Sequence, residues 1–145
     1  MFNREEVKNI LNREGMFPFP SLDTKLFFSL SYYTGLSIET VRELRWGNLD
    51  LDKEKIRTVK VDGGDLEEVE IFFDHALTSL LIELKENSHT IADTEYLFTD
   101  PNGGPVSIET IQKNFELTME TEGIDFCKRK LTPNSFRRTY NFWYA

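Results

Sequence analysis

The sequence has little of the residue types that build disulfides, metal sites or membrane spans. A single cysteine, Cys127, excludes a disulfide within the chain and fits a reducing compartment. The two histidines, His75 and His89, have no neighbouring Cys or His, so the spacing of a metal site is missing. No apolar run approaches the roughly 20 residues of a membrane helix, and the start lacks the apolar middle of a signal peptide. We therefore expect a cytoplasmic protein with no membrane contact, metal or cofactor.

Positive charge is also scarce, and it is unevenly distributed. The net charge is -8, and residues 62–125 contain sixteen Asp or Glu but only two Lys. Residues 126–145 contain five Lys or Arg and no acidic residue. A polyanion would be repelled by the middle of the chain and attracted to its last part.

The length and the hydrophobic content favour one globular domain over residues 1–145. The chain is 39% hydrophobic and contains twelve Phe, five Tyr and two Trp, which is enough apolar volume for a single core. Since only about twenty residues precede the first strongly apolar helix, a separate N-terminal domain is not expected.

Capping residues and helical periodicity predict a mostly helical fold. Asn3 followed by Glu6 is typical of a capping box at the start of a first helix. A second helix is predicted from about Leu22 to Tyr33 and is ended by Gly35. Three more helices are predicted to begin after Ser37, Asp74 and Ser107, and a last one at Pro133 or Asn134.

Two segments rich in β-branched and aromatic residues, 55–61 and 67–73, flank a glycine-containing turn and predict an antiparallel hairpin. Residues 95–100, "EYLFTD", predict a further short strand that ends in the turn at 100–104. The expected fold class is therefore α+β and mostly α, with a small antiparallel sheet.

Four segments, in order, resemble the tyrosine recombinase or phage integrase family. "TGLSIETVRELRWGNLDLD" (34–52) is similar to its first box, T-G-L-R-x-x-E-x-x-x-L-x-W-x-D-x-D, and "LTPNSFRRTYNFW" (131–143) to its second, T-P-H-x-L-R-[RH]-T-F. Between them, 55–73 resembles the family's β-hairpin and 96–115 its next strand, turn and helix. The resemblance implies the catalytic-domain fold of an enzyme that breaks and rejoins DNA.

The resemblance places two catalytic residues in this sequence, with Lys60 at the position of the catalytic lysine and Arg137 at that of the second arginine. Other positions depart from the family. Ser37 stands where the family has its first catalytic arginine, and Asn134 where it has a histidine. Thr40 replaces the acidic residue of the first box, although Glu39 is adjacent.

These departures predict a chain that does not cleave DNA. In the family, a tyrosine attacks the scissile phosphate while two arginines stabilise the charge that develops on its oxygens. Serine is a single neutral donor, and an asparagine cannot exchange protons. The sequence also ends before the box that carries the tyrosine, and Tyr140 and Tyr144 follow Arg137 too closely to be accepted as the nucleophile.

What remains is a phosphate-binding pocket with a basic rim that would contact the DNA backbone without reading bases. Its candidate residues are Arg137, Arg138, Lys60, Lys128, Arg129 and Lys130. For Lys60 and for residues 128–130, solvated surface charge is an equally ordinary interpretation. Two alternatives stay open: a fragment of a longer integrase, or a protein-interaction module that uses the acidic middle. The DNA-binding interpretation and both alternatives are compatible with a homo-oligomer or with a partner recombinase subunit.

Overall fold

The computed structural model describes residues 1–13, 15, 17–62, 65–87 and 92–144, with side chains for all of these except 60–62, 65 and 140–144. The α-helices in this part of the chain are α1 Arg4–Leu11, α2 Leu22–Thr34, α3 Ile38–Arg42, α4 His75–Glu86, α5 Ile108–Glu122 and α6 Ser135–Tyr144, and a short 3-10 helix spans Trp46–Asn48. The strands are β1 Leu49–Asp50, β2 Lys55–Asp62 and β3 Asp65–Phe72, in an antiparallel sheet of order β1-β2-β3. The predicted fold class is confirmed.

The predicted helix starts are confirmed because each capping side chain accepts a bond from the first turn of its helix. Asn3 and Glu6 form a reciprocal capping box at α1. Ser37, Asp74 and Ser107 each accept a hydrogen bond from the backbone N–H three residues later.

The predicted hairpin is confirmed, with β2 and β3 paired from Lys55↔Phe72 to Asp62↔Asp65. The predicted strand at 95–100 is wrong. This segment makes only two isolated bridges, Arg45↔Tyr96 and Thr99↔Pro105. Its partners belong to loops, and the proline has no N–H with which to extend a ladder.

Helix α2 is the centre of the core. Nearly all of its residues are buried, and it packs against α3, α4 and α6. The ring of Phe28 lies 5.1 Å from that of Phe136 on α6 and 5.9 Å from that of Phe115 on α5. These aromatic contacts fix α6, which carries the second box, against the helix that leads into the first.

The N-terminal segment is part of the same core. Phe2 is 1% exposed, and its ring stacks on that of Phe136 at 4.6 Å. The buried Lys25 of α2 donates from Nζ to the carbonyls of Arg13 (2.7 Å) and Gly15 (2.6 Å). Burial lowers the pKa of this ammonium below its ordinary value. In the described part of the chain, no helix is both long enough and apolar enough to cross a membrane.

Candidate functional site

The junction between α2 and α3 is a tightly bonded turn. Gly35 ends α2 in the left-handed region, with φ of 72°. The hydroxyl of Ser31 donates to the carbonyl of Leu36 at 2.8 Å, and the hydroxyl of Thr34 accepts from the Leu36 N–H at 3.3 Å. These bonds hold the turn that leads directly to Ser37.

Ser37 is the N-cap of α3 and is 3% exposed. Its hydroxyl accepts from the backbone N–H of Thr40 at 3.3 Å and lies 3.0 Å from the Thr40 hydroxyl. Thr40 is 2% exposed. The positions at which the resemblance places an arginine and an acidic residue therefore hold a buried, neutral and mutually bonded pair.

Asn134 immediately precedes α6, and its carbonyl accepts from the Arg138 N–H at 3.0 Å, so the predicted start of the last helix is confirmed. Its side-chain oxygen accepts from the backbone N–H of Ile38, the first residue of α3, at 2.9 Å. Its amide nitrogen lies 3.5 Å from a carboxylate oxygen of Glu39. Asn134 thus joins the start of α6 to the start of α3.

Arg137 lies one turn further along α6 and is half-buried. Its Nε donates to the carbonyl of Gly35 at 3.0 Å. The fold therefore brings Asn134 and Arg137 close to Ser37, although about a hundred residues separate these two from Ser37 in the sequence. The backbone of Lys60 is paired with that of Glu67, and the Lys60 side chain is outside the described part of the structure.

The loop before α6 carries three of the residues that were predicted to form a basic rim. Lys128 and Lys130 are exposed, and so is Arg138 on α6. Within this loop, the Asp125 carboxylate accepts a hydrogen bond from the Lys128 N–H at 2.9 Å. Lys130 has φ of 55°, an unusual conformation for a residue other than glycine.

Arg129, on the same loop, is engaged in a bidentate ion pair. Its Nη1 and Nη2 donate to the two carboxylate oxygens of Glu6 at 2.6 and 2.7 Å. The bond from Arg129 holds the pKa of the Glu6 carboxyl below its ordinary value, although partial burial opposes the shift. The same pair raises the pKa of Arg129. Much of the charge of Arg129 is therefore balanced by α1.

No group of three or more potential metal ligands occurs among the described residues. His75, at the start of α4, lies 3.3 Å from a carboxylate oxygen of Glu54 and is highly exposed.

The model of the phage integrase family matches residues 2–145. The chain belongs to this family. The resemblance of the four segments is thereby confirmed at the level of the family, while the role of each site residue stays a prediction.

The fold of the chain is similar to that of several solved structures. The chain is similar to XerA recombinase (20% identity, TM-score 0.72), covering 96% of itself and 47% of that chain. It is similar to the lambda integrase catalytic core (15% identity, TM-score 0.69), covering 99% of itself and 81% of that chain. A complex of the Tn1549 transposon integrase with circular intermediate DNA gives 15% identity, a TM-score of 0.69, and coverage of 99% and 53%. The chain thus spans about half the length of two of these three proteins. No curated protein sequence matches it.

Two contacts at the site were missed in the sequence. The bond from Asn134 to α3 and the ion pair of Arg129 with Glu6 each join positions far apart in the chain. For Arg129 the only signal was its opposite charge to Glu6, which many other pairs of residues share.

Proposed function

We propose that this integrase-family domain binds the phosphate backbone of duplex DNA and does not cleave it by itself. The observation that carries the proposal is the bond between Arg137 and the carbonyl of Gly35, which holds the arginine of the second box at the start of the first. A guanidinium held in this way is oriented before a ligand arrives, so less side-chain entropy is lost on binding.

The binding surface we propose consists of cationic side chains around the start of α6. Arg138, Lys128 and Lys130 are exposed there, and Lys60 is assigned to the same surface on the resemblance alone. Arg129 contributes less in this proposal because Glu6 already balances its charge. Contacts of this kind attach to phosphate oxygens and carry little sequence information.

The loss of cleavage rests on the chemistry of three positions. Ser37 and Thr40 have neutral hydroxyl side chains that bond to each other, and a hydroxyl cannot supply the charged fork that stabilises a phosphoryl-transfer transition state. The oxygen of Asn134 is occupied by the Ile38 N–H, and an amide side chain does not exchange protons. If the chain is part of a longer integrase, the serine at position 37 impairs that protein as well.

The test is fluorescence anisotropy of a labelled duplex titrated with the protein at several salt concentrations. We expect the logarithm of the association constant to fall linearly with the logarithm of salt. Arg138→Ala and Lys130→Ala should each reduce the slope by about one unit, because each removes one phosphate contact. Lys113→Ala is the matched control, since this exposed lysine lies on the acidic helix α5 and should leave the slope unchanged.

Arg137 needs its own comparison, because removing it also removes the bond to Gly35. Arg137→Lys keeps a positive charge and should retain more binding than Arg137→Ala at equal thermal stability. An absence of binding at low salt would overturn the proposal and favour a protein-interaction module that uses the acidic middle of the chain. A covalent DNA adduct on a nicked duplex, seen on a denaturing gel, would overturn the loss of cleavage.

A further inference from the structure

Among the described residues, strand β3 is an edge strand of the sheet, and it carries unusually exposed apolar side chains. Of the described residues, Leu66 and Phe72 are the two most exposed large apolar ones, at 75% and 66%. Both lie on β3, which pairs with β2 along one of its edges. An open strand edge with apolar side chains favours pairing with another chain.

The hydrogen bonding of the hairpin determines which residues of β3 face that open edge. The N–H of Phe73 donates to the carbonyl of Glu54 at 2.9 Å, so 54↔73 is a hydrogen-bonded pair. Bonded and non-bonded pairs alternate along an antiparallel ladder. The residues of β3 that direct their N–H and C=O away from β2 are therefore Leu66, Glu68, Glu70 and Phe72.

These residues are placed symmetrically about Val69. Leu66 and Phe72 lie three positions to either side of it, and Glu68 and Glu70 lie one position to either side. A second copy of β3 that pairs antiparallel about Val69 would set Leu66 opposite Phe72 of the other copy, at both ends of the ladder. The same alignment sets Glu68 opposite Glu70 of the other copy. At all four positions the backbone N–H and C=O point away from β2, so they can form hydrogen bonds with the second copy. Directly opposed apolar side chains of this kind stabilise an antiparallel pair.

The carboxylates of β3 that would face each other in this dimer are each paired with a cation of β2. Carboxylates on an edge strand ordinarily oppose its self-pairing. Here Arg57 lies 3.7 Å from Glu68 and 3.6 Å from Glu70, and Lys55 lies 3.5 Å from Glu70. In a pair of molecules, four carboxylates would meet four cations. The repulsion between the opposed glutamates is therefore reduced, because each molecule already pairs them with its own Lys55 and Arg57.

We propose that the open edge of β3 docks a second copy of this chain, forming a two-fold antiparallel dimer centred on Val69. The two sheets then become one continuous six-stranded sheet. The residues around α6 to which DNA binding is assigned lie outside this surface, whereas Lys60 lies on β2, the strand next to β3. The dimer is argued from the open edge of β3 alone, so it does not depend on the proposed function.

Sedimentation equilibrium of the whole chain over a concentration series, without DNA, tests the proposal. The parent chain should show a monomer–dimer equilibrium. Leu66→Lys/Phe72→Lys should weaken it by on the order of tenfold or more, because each substitution acts twice in the dimer and places like charges opposite each other. Both positions are exposed, so far-UV circular dichroism should be unchanged.

A second variant tests the antiparallel register. Leu66→Lys/Phe72→Glu places each introduced lysine opposite an introduced glutamate of the other copy, so it should retain the dimer. A parallel pairing would set lysine against lysine and lose it. The control is Leu117→Lys, since Leu117 is 41% exposed on α5 and should leave the equilibrium unchanged. A parent chain that stays monomeric, or equal weakening by both double variants, would overturn the proposal.

Discussion

The hydroxyls of Ser37 and Thr40 lie 3.0 Å apart at the start of α3, and both residues are buried. The family pattern has an arginine and an acidic residue at these two positions, so a charged pair is exchanged for a neutral one. The two replacements are consistent with each other, because either charge alone would be costly at a site this buried. This relationship gives the departure from the family pattern a physical basis.

Ser37→Arg is predicted to destabilise the fold without restoring cleavage. The larger side chain must be accommodated at a buried cap, and its charge lacks a partner, so the free energy of unfolding should fall by on the order of 2 kcal/mol. Urea denaturation measures this. Ser37→Ala is the reference and should cost about 1 kcal/mol through loss of the cap.

A double variant tests by urea denaturation whether positions 37 and 40 interact. Ser37→Arg/Thr40→Glu restores opposite charges at the two positions, so its loss of stability should be smaller than the sum of the single losses, by about 0.5–3 kcal/mol. Strict additivity would show that the two positions do not interact.

Asn134→Ala is predicted to loosen the junction of the two boxes. It leaves the Ile38 N–H without its acceptor and should cost about 1–2 kcal/mol. Hydrogen exchange of the Ile38 amide should accelerate more than that of other α3 amides. Asn102→Ala, in the exposed turn at 100–104, is the control and should change neither quantity. An unaltered exchange rate at Ile38 would contradict the role assigned to Asn134.

The pair of Glu6 with Arg129 predicts a loss of stability in acid. The folded state lowers the pKa of Glu6 below its ordinary 4.5, so the unfolded chain binds the proton more tightly. The stability from this pair is present above pH 4.5 and is lost as the pH falls through the lower folded value. Glu6→Gln should reduce the slope of unfolding free energy against pH in that window. Arg129→Gln removes the partner of Glu6 and should reduce the slope in the same window.

Phe2→Ala tests whether the N-terminal segment is part of the core. Its ring stacks on that of Phe136 and meets that of Phe115 edge-on at 6.5 Å, so its removal should cost about 3–5 kcal/mol. Thermal or urea denaturation would detect this. The matched substitution Phe17→Ala removes a ring that is 55% exposed and should cost no more than about 1 kcal/mol. Equal effects would mean that Phe2 is not packed as described.

Local features were predictable from the sequence. The cap at Ser37 and the end of α2 at Gly35 depend on residues within one helical turn, so a short window contains all the information they need. The β2–β3 hairpin is similar, because its two strands are adjacent in sequence. The strand predicted at 95–100 failed for the opposite reason, since a strand exists only where a partner ladder is available.

By itself, the sequence determined the helix starts, the hairpin and the membership of the phage integrase family. Tertiary structure decided which contacts the candidate site residues and the N-terminal segment make. Asn134 became a link to α3, Arg129 became the partner of Glu6, and Phe2 became part of the core only when distant segments met. Propensities and caps act between near neighbours, whereas a buried hydrogen bond or ion pair requires two groups that the chain itself does not keep close.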